Sequence, residues 1–263
     1  METSADWLAE TVRRLKTRKL YYEDPLLGVC SAVVESVGDK GVKLNQTVAF
    51  PEGGGQKGDR GILVLPSGGR IGFTDTQKGP GRQFFRDDFP VIHVETPVYH
   101  YVAAEHLAKI KRGDEVRVVL DLERRARLTV SHTASHLLFL GVGAIMPEVT
   151  AQVKGCSITE EHARFDFATT ATFTPEHIGQ IEEVANDYRK RCLAVSLYHH
   201  PEESEAWYWK CDGKVIPCGG THTKTTEPVG PLLVRRKSLG KHGERLIVTF
   251  PAAEIDTSVY RDS

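Results

Sequence analysis

Two short motifs, far apart in the chain, constrain its fold more than any other feature. Ser131-His132-Thr133-Ala134-Ser135-His136 lies in a run where Leu122, Ala126, Leu128, His132, His136, Phe139 and Leu140 recur at three- and four-residue steps, the mark of an amphipathic helix. A spacing of four puts both imidazoles on one helix face, about one turn apart. Downstream, Pro217-Cys218-Gly219-Gly220-Thr221-His222 offers a thiolate and a third imidazole, with two glycines that let the backbone fold tightly between them. Imidazole and thiolate are the donor types of tetrahedral zinc sites. The chain can assemble this set only by bringing the 217–222 segment onto the helix. A helical histidine pair alone is more often without a ligand; the Cys-x-x-x-His pair moves the reading to zinc.

A zinc peptidase needs a glutamate directly after the first histidine as its base, and Thr133 stands there instead. Four protein ligands can close the shell and make the zinc structural, whereas a catalytic ion keeps an exchangeable position. At the level of sequence both states stay open.

A second constellation, Phe50-Pro51-Glu52-Gly53-Gly54-Gly55-Gln56-Lys57-Gly58-Asp59-Arg60-Gly61, concentrates glycine around Gln56 and Asp59. It lacks the G-K-[ST] of a Walker loop and does not open a helix as a Rossmann fingerprint does, so no nucleotide cofactor is expected. A tight turn with polar tips in water is one reading. The other is a close backbone approach to a substrate at Gly54 and Gly55, with Gln56 hydrogen-bonding a small polar group.

Short β-rich runs at Val29–Val37, Val42–Phe50, Gly61–Leu65 and Arg70–Thr74, separated by glycine turns, indicate a small β domain. A loop-rich hairpin region follows between Asp75 and Pro97, then an apolar strand at Val116–Asp121. Thr174-Pro175 marks a second helix start, with Ile178, Ile181, Val184, Ala185 and Tyr188 as its apolar stripe. Cys156–Phe167, Leu193–His199, Pro231–Ser238 and Glu244–Phe250 read as strands. Because strands and helices do not alternate regularly, the class is α+β. The expectation is a barrel-like N-terminal β domain over 19–120, then an antiparallel sheet with helices on one face over 121–263, carrying the zinc site. Residues 1–18 read as a helical N-terminal extension.

Hydrophobic residues make up 40% of the 263-residue chain and charged residues 26%, so a sizeable core can be buried. With a formal net charge of -1, a nucleic-acid partner must be met by a local basic patch. Arg235, Arg236, Lys237, Lys241, His242 and Arg245, broken by Gly240 and Gly243, offer one; a solvated hairpin is the alternative. Trp207 and Trp209 are expected to pack against the core or a strand edge. Five cysteines without small-secreted spacing favour thiols or metal ligation over disulfides. The N-terminus lacks a secretory pattern and no run of about eighteen apolar residues occurs. The expectation is a cytoplasmic protein with no membrane partner.

In this order, the glycine-rich Gln motif, H-x-x-x-H and Cys218-Gly219-Gly220-Thr221-His222 resemble the editing domain of alanyl-tRNA synthetase. More closely, the chain is similar to the free-standing AlaX-type relatives, of the medium-length class that keeps the glycine-rich domain. Lys19-Leu20-Tyr21-Tyr22, Arg127-Leu128-Thr129, Ala163-Arg164-Phe165-Asp166-Phe167 and Val229-Gly230-Pro231 support the match, which spans about residues 19 to 250. The resemblance implies hydrolysis of the ester joining serine, and perhaps glycine, to the terminal ribose of mischarged alanine tRNA. It implies His132, His136, Cys218 and His222 as zinc ligands. It implies Thr47, Gln56 and Asp59 around the substrate, with Gly54, Gly55 and Thr221 expected beside them; the basic loop, read from its own charges, offers tRNA contacts at Arg235, Arg236, Lys237, Lys241 and Arg245. Thr47-Val48-Ala49-Phe50 departs from the more frequent T-P-F-Y. A tRNA-binding module with a structural zinc, or a relative of the threonyl-type editing domain, is the alternative.

Overall fold

The computed structural model describes residues 16–87 and 89–262, so most of the N-terminal extension lies outside the described residues. Six strands close a barrel: β1 (Leu27–Gly38), β2 (Gly41–Leu44), β3 (Gly61–Val64), β4 (Arg70–Lys78), β7 (Val98–Val102) and β8 (Glu115–Leu120), with the hairpin β5 (Arg82–Arg86) and β6 (Phe89–Val94) inserted between β4 and β7. The order is β8-β3-β4-β7-β2-β1, and β8 pairs back to β1. Every barrel pairing is antiparallel. Alternation explains the closure. Cys30, Ala32 and Val34 of β1, Ile71 and Phe73 of β4, and Val116, Val118 and Leu120 of β8 point into one core.

Strand β8 runs through Asp121 into helix α1 (Leu122–Ile145), whose first turn Asp121 caps by accepting from the Arg124 amide at 3.1 Å. This helix is long and apolar enough to cross a bilayer, yet two-thirds of its most apolar window is buried inside the protein. Val130, Ala134, Leu137, Leu138 and Val142 build a second core with Ile158, Phe165 and Phe167 and with Ile181 and Ala185 of helix α2 (Pro175–Lys190). Thr174 caps α2 reciprocally with His177, and Pro175 sits in its first turn.

The helices cover an antiparallel sheet of β9 (Val153–Ile158), β10 (His162–Phe167), β15 (Glu244–Thr249) and β14 (Leu233–Ser238), in that order. The single strand expected over Cys156–Phe167 is a hairpin: Thr159 Oγ1 accepts from the His162 amide and turns the chain back. A separate three-stranded sheet, β11 (Val195–His200), β12 (Glu203–Cys211) and β13 (Lys214–Pro217), is additional to the expected architecture. Its strand β12 buries Trp209 completely, and β13 delivers the chain to Cys218.

Candidate metal centre and its cavity

One turn of α1 separates His132 and His136, whose rings sit 5.1 Å apart and edge-on. Opposite them, the turn after β13 is tied to β12 by the Cys218 amide donating to the Trp207 carbonyl at 2.8 Å. That tie places Cys218 Sγ 3.3 Å from His132 Nε2 and 3.4 Å from His222 Nε2. The ligand atoms of His132, His136, Cys218 and His222 all lie within 4.8 Å of one another, so the four can hold a metal ion. Gly220 is what lets the turn come so near. A Cβ there would meet His132 Cε1 at 2.1 Å and Gln56 Oε1 at 2.9 Å.

Outer hydrogen bonds set the imidazole tautomers. Gln56 Oε1 takes the Thr221 amide at 3.1 Å, which identifies it as the carbonyl end, and it lies 2.7 Å from His132 Nδ1. A carbonyl only accepts, so Nδ1 carries the proton and the Nε2 lone pair faces Cys218. Thr133 Oγ1, which donates to the Thr129 carbonyl, plays the same part for His222 Nδ1 at 3.3 Å. His136 packs edge-on against Trp209 at 4.7 Å, and its Nδ1 is buried without a hydrogen-bond partner among the described residues, an orphan that fits a coordinating ring.

Burial lowers His132 to about 3 and holds His136 and His222 well below the ordinary histidine range. The imidazoles are therefore neutral, the state that ligates. Burial pushes the Cys218 thiol up to about 12. Only a neighbouring cation makes a thiolate favourable in such surroundings, so the donor set fits a bound metal.

The glycine-rich segment reaches the cluster by joining the sheet edge. Ile158 donates to the Gly55 carbonyl at 2.7 Å, and Lys57 donates to Ile158 O at 3.1 Å. At Gly55 (φ +88) a Cβ would strike the Cys156 backbone at 2.9 Å. Gln56 is fully buried and spans His132 and Thr221, while Thr129 Oγ1 donates to Thr221 Oγ1 at 2.9 Å. Two consecutive arginines of α1 clamp the same loop. Arg124 donates to the Gly58 carbonyl, and Arg125 holds Asp59 and donates to the Val48 carbonyl at 2.7 Å. On α1, Arg125, Thr129, His132 and His136 recur at three- and four-residue steps, so one helix face grips both the loop and the cluster.

The structure thus gathers His132, His136, Cys218, His222, Gln56 and Thr221, and Gly54 lines the adjoining cavity. Thr47 and Asp59 stand away from it. Thr47 is buried and receives the Ala49 amide at 3.0 Å, while its hydroxyl lies 2.9 Å from His100 Nε2. His100 Nδ1 faces the Val42 carbonyl, so Nε2 is the acceptor and the Thr47 proton is taken. Asp59 is spent on Arg125 and the Phe50 amide. On the basic hairpin, Arg236 pairs with Glu244 and Arg245 with Asp166, leaving Arg235, Lys237 and Lys241 exposed.

A cavity of about 680 Å³ opens from the cluster. Phe139, Val153 and Phe165 wall one side, and Val91 and Ile92 of the inserted hairpin wall another. Lys19, Tyr22, Lys78, Thr96 and Glu205 are among its other polar groups. Lys19 and Tyr22 belong to the Lys19-Leu20-Tyr21-Tyr22 motif, whose place in the site its sequence did not disclose. Lys78, Glu205 and Arg125 carry no sequence signal, because the groups they face come from distant segments.

No family model matches the chain. Among curated proteins it is 30% identical over 240 residues to the alanyl-tRNA editing protein AlaX-M of Pyrococcus horikoshii, covering 88% of this chain and 96% of that protein. It is 29% identical over 260 residues to AlaX-M of Methanosarcina barkeri, covering 89% and 98%. It is 31% identical over 237 residues to the alanine–tRNA ligase of Sulfurisphaera tokodaii, covering 83% of this chain but 24% of the ligase.

Proposed function

The chain belongs to the AlaX-M alanyl-tRNA editing family, and from that membership we propose a zinc-dependent hydrolase that frees alanine tRNA of wrongly attached serine, with glycine as a second target. It is an aminoacyl-tRNA deacylase acting in trans, and tRNA is its substrate. The observation that carries the zinc reading is the three-histidine, one-cysteine set held at the floor of a cavity. Its sulfur–nitrogen separations of 3.3 and 3.4 Å are near the edge of about 3.5 Å that tetrahedral zinc–ligand bond lengths imply.

His132, His136, Cys218 and His222 would hold the ion, which when bound supplies Lewis-acid polarisation of the ester carbonyl or a water of lowered pKa. The protein's own groups do the rest. Gln56 and Thr133 keep Nε2 of His132 and His222 unprotonated. Gly53 and Gly54 face the cavity without side chains, so the ester can approach the backbone closely. Phe139, Val153 and Phe165 limit water at the cleaved bond. For the serine hydroxyl, Thr47 is unavailable and Gln56 is committed to His132. Tyr22 Oη has no hydrogen-bond partner among the described residues, opens on the cavity and lies beside Gly219; we assign it that contact. Alanine would leave this group unpaired, which separates the seryl from the alanyl ester; the glycyl ester draws nothing from it.

Deacylation of Ser-tRNA(Ala), Gly-tRNA(Ala) and Ala-tRNA(Ala), before and after metal stripping and with zinc counted on the same sample, tests the reading. Zinc-dependent loss of the seryl ester with the alanyl ester spared is expected. Bound zinc with no ester cleavage would instead favour a tRNA-binding module with a structural ion.

A further inference from the structure

The wall of the cavity formed by β4 and the chain leading into β7 carries an arrangement that ester hydrolysis does not use. Lys19 and Lys78 both face the cavity. Lys19, whose side chain is 4% exposed, is neutralised by Glu205 at 2.7 Å. The same Glu205 oxygen also accepts the Glu95 amide at 2.9 Å. Lys78 has no ion pair among the described residues, and its ammonium lies over the bare backbone of the glycine segment, where a side chain at Gly53 would meet it at 3.0 Å. Glu205 compensates one of the two ammonium groups on this wall, and Lys78, exposed to solvent, keeps a positive charge with no carboxylate partner among the described residues, free to meet an anion.

An independent observation points to the same corner. Thr96 lines the cavity, is fully buried, and its hydroxyl has no hydrogen-bond partner among the described residues. Sheet pairing puts Lys78 opposite Val98, and the Gly79 amide donates to the Pro97 carbonyl, so the Thr96 segment runs beside Lys78. The Thr17 amide donates to the Thr96 carbonyl, which ties the segment to the chain that carries Lys19. A buried hydroxyl donor next to an unpaired ammonium suits a phosphate oxygen.

We propose that Lys78 and Thr96 form an anion corner that anchors the 5′ phosphate of the tRNA's terminal nucleotide while its ribose ester lies over the histidine–cysteine cluster. The proposal rests on the editing reading for the identity of the substrate. A cavity of about 680 Å³ is within the range that takes a nucleotide-sized ligand. The corner would make the enzyme prefer esters of a nucleotide to esters of a bare nucleoside.

The test measures binding of adenosine 5′-monophosphate and of adenosine to the zinc-loaded full chain by calorimetry, alongside deacylation of Ser-tRNA(Ala). Wild type should favour the monophosphate by about tenfold or more, the scale of one charge-assisted contact. Lys78→Met and Thr96→Val should each shrink that preference, and Lys78→Arg should retain most of it. Equal affinity for the two ligands in wild type, or an undiminished preference in Lys78→Met, would overturn the anchor while leaving the deacylation result to stand. A monophosphate preference that needs Lys78, in a protein without deacylase activity, would uphold the corner and sink the editing reading.

Discussion

Gln56 Oε1 sits 2.7 Å from His132 Nδ1 although the two residues are 76 positions apart in the chain. The glycine-rich segment is therefore the supporting layer of the candidate metal centre: the Gln56 amide decides which nitrogen of His132 would be free to coordinate.

Gln56→Leu keeps the approximate volume and removes the acceptor. Zinc affinity, measured by chelator competition, should fall about 10- to 100-fold, the range for loss of such an outer partner. An unchanged affinity would mean that His132 is oriented by packing alone.

Asp59 and Arg125 form a fully buried ion pair, and the clamp on the loop depends on it. Asp59→Ala should cost about 3–5 kcal/mol in chemical denaturation, because Arg125 is left charged and unpaired. Faster hydrogen exchange at Gln56 and Lys57 should accompany the loss. A cost under about 1 kcal/mol, the level of an exposed pair, would refute the clamp.

His100 gives the barrel a defined acid response. Burial lowers its pKa from 6.5 to about 4 in the folded protein. Between those values the unfolded chain binds the extra proton, so stability falls as pH falls through this window. The contribution is about 3 kcal/mol. Stability measured against pH should therefore decline less steeply from 6.5 to 4 in His100→Asn than in wild type, and identical slopes would show that His100 does not titrate as described.

On the basic hairpin only Arg235, Lys237 and Lys241 are free of carboxylate partners among the described residues. Replacing these three with serine should weaken tRNA binding and lower the salt dependence by about 0.7 to 0.9 per lost phosphate contact. Removing Arg236 or Arg245 should act mainly through the fold, by leaving Glu244 without its arginine or Asp166 with Arg164 alone. A salt slope that the triple variant does not change would place the tRNA elsewhere.

Tyr22→Phe separates hydroxyl recognition from catalysis. Turnover of the seryl ester should drop relative to the glycyl ester, since only serine has the hydroxyl that Tyr22 Oη would meet. Equal losses on both esters would assign Tyr22 to the chemistry or the packing instead.

Periodicity and ligand chemistry were enough to identify the α+β class, the helix that carries His132 and His136, the capped start of the second helix, and the four side chains that fold into a cluster able to hold a metal ion. These are local properties: a 3.6-residue apolar repeat, a Thr-Pro start and glycines between two ligands each act within a few residues. What the sequence could not reveal depends on partners brought together by folding. The closure of six strands into a barrel follows from pairings among distant segments, β8 with β1 above all. The role of Gln56 as a support for His132 follows from the glycine segment joining the edge of β9. The withdrawal of Thr47 behind His100, and of Asp59 behind Arg125, follows from burial, which satisfies each polar group inside the protein before any substrate can reach it. Sequence determined which donors the chain possesses; tertiary structure decided which of them are spent on one another and which, with Tyr22, Lys78 and Thr96, still face the cavity.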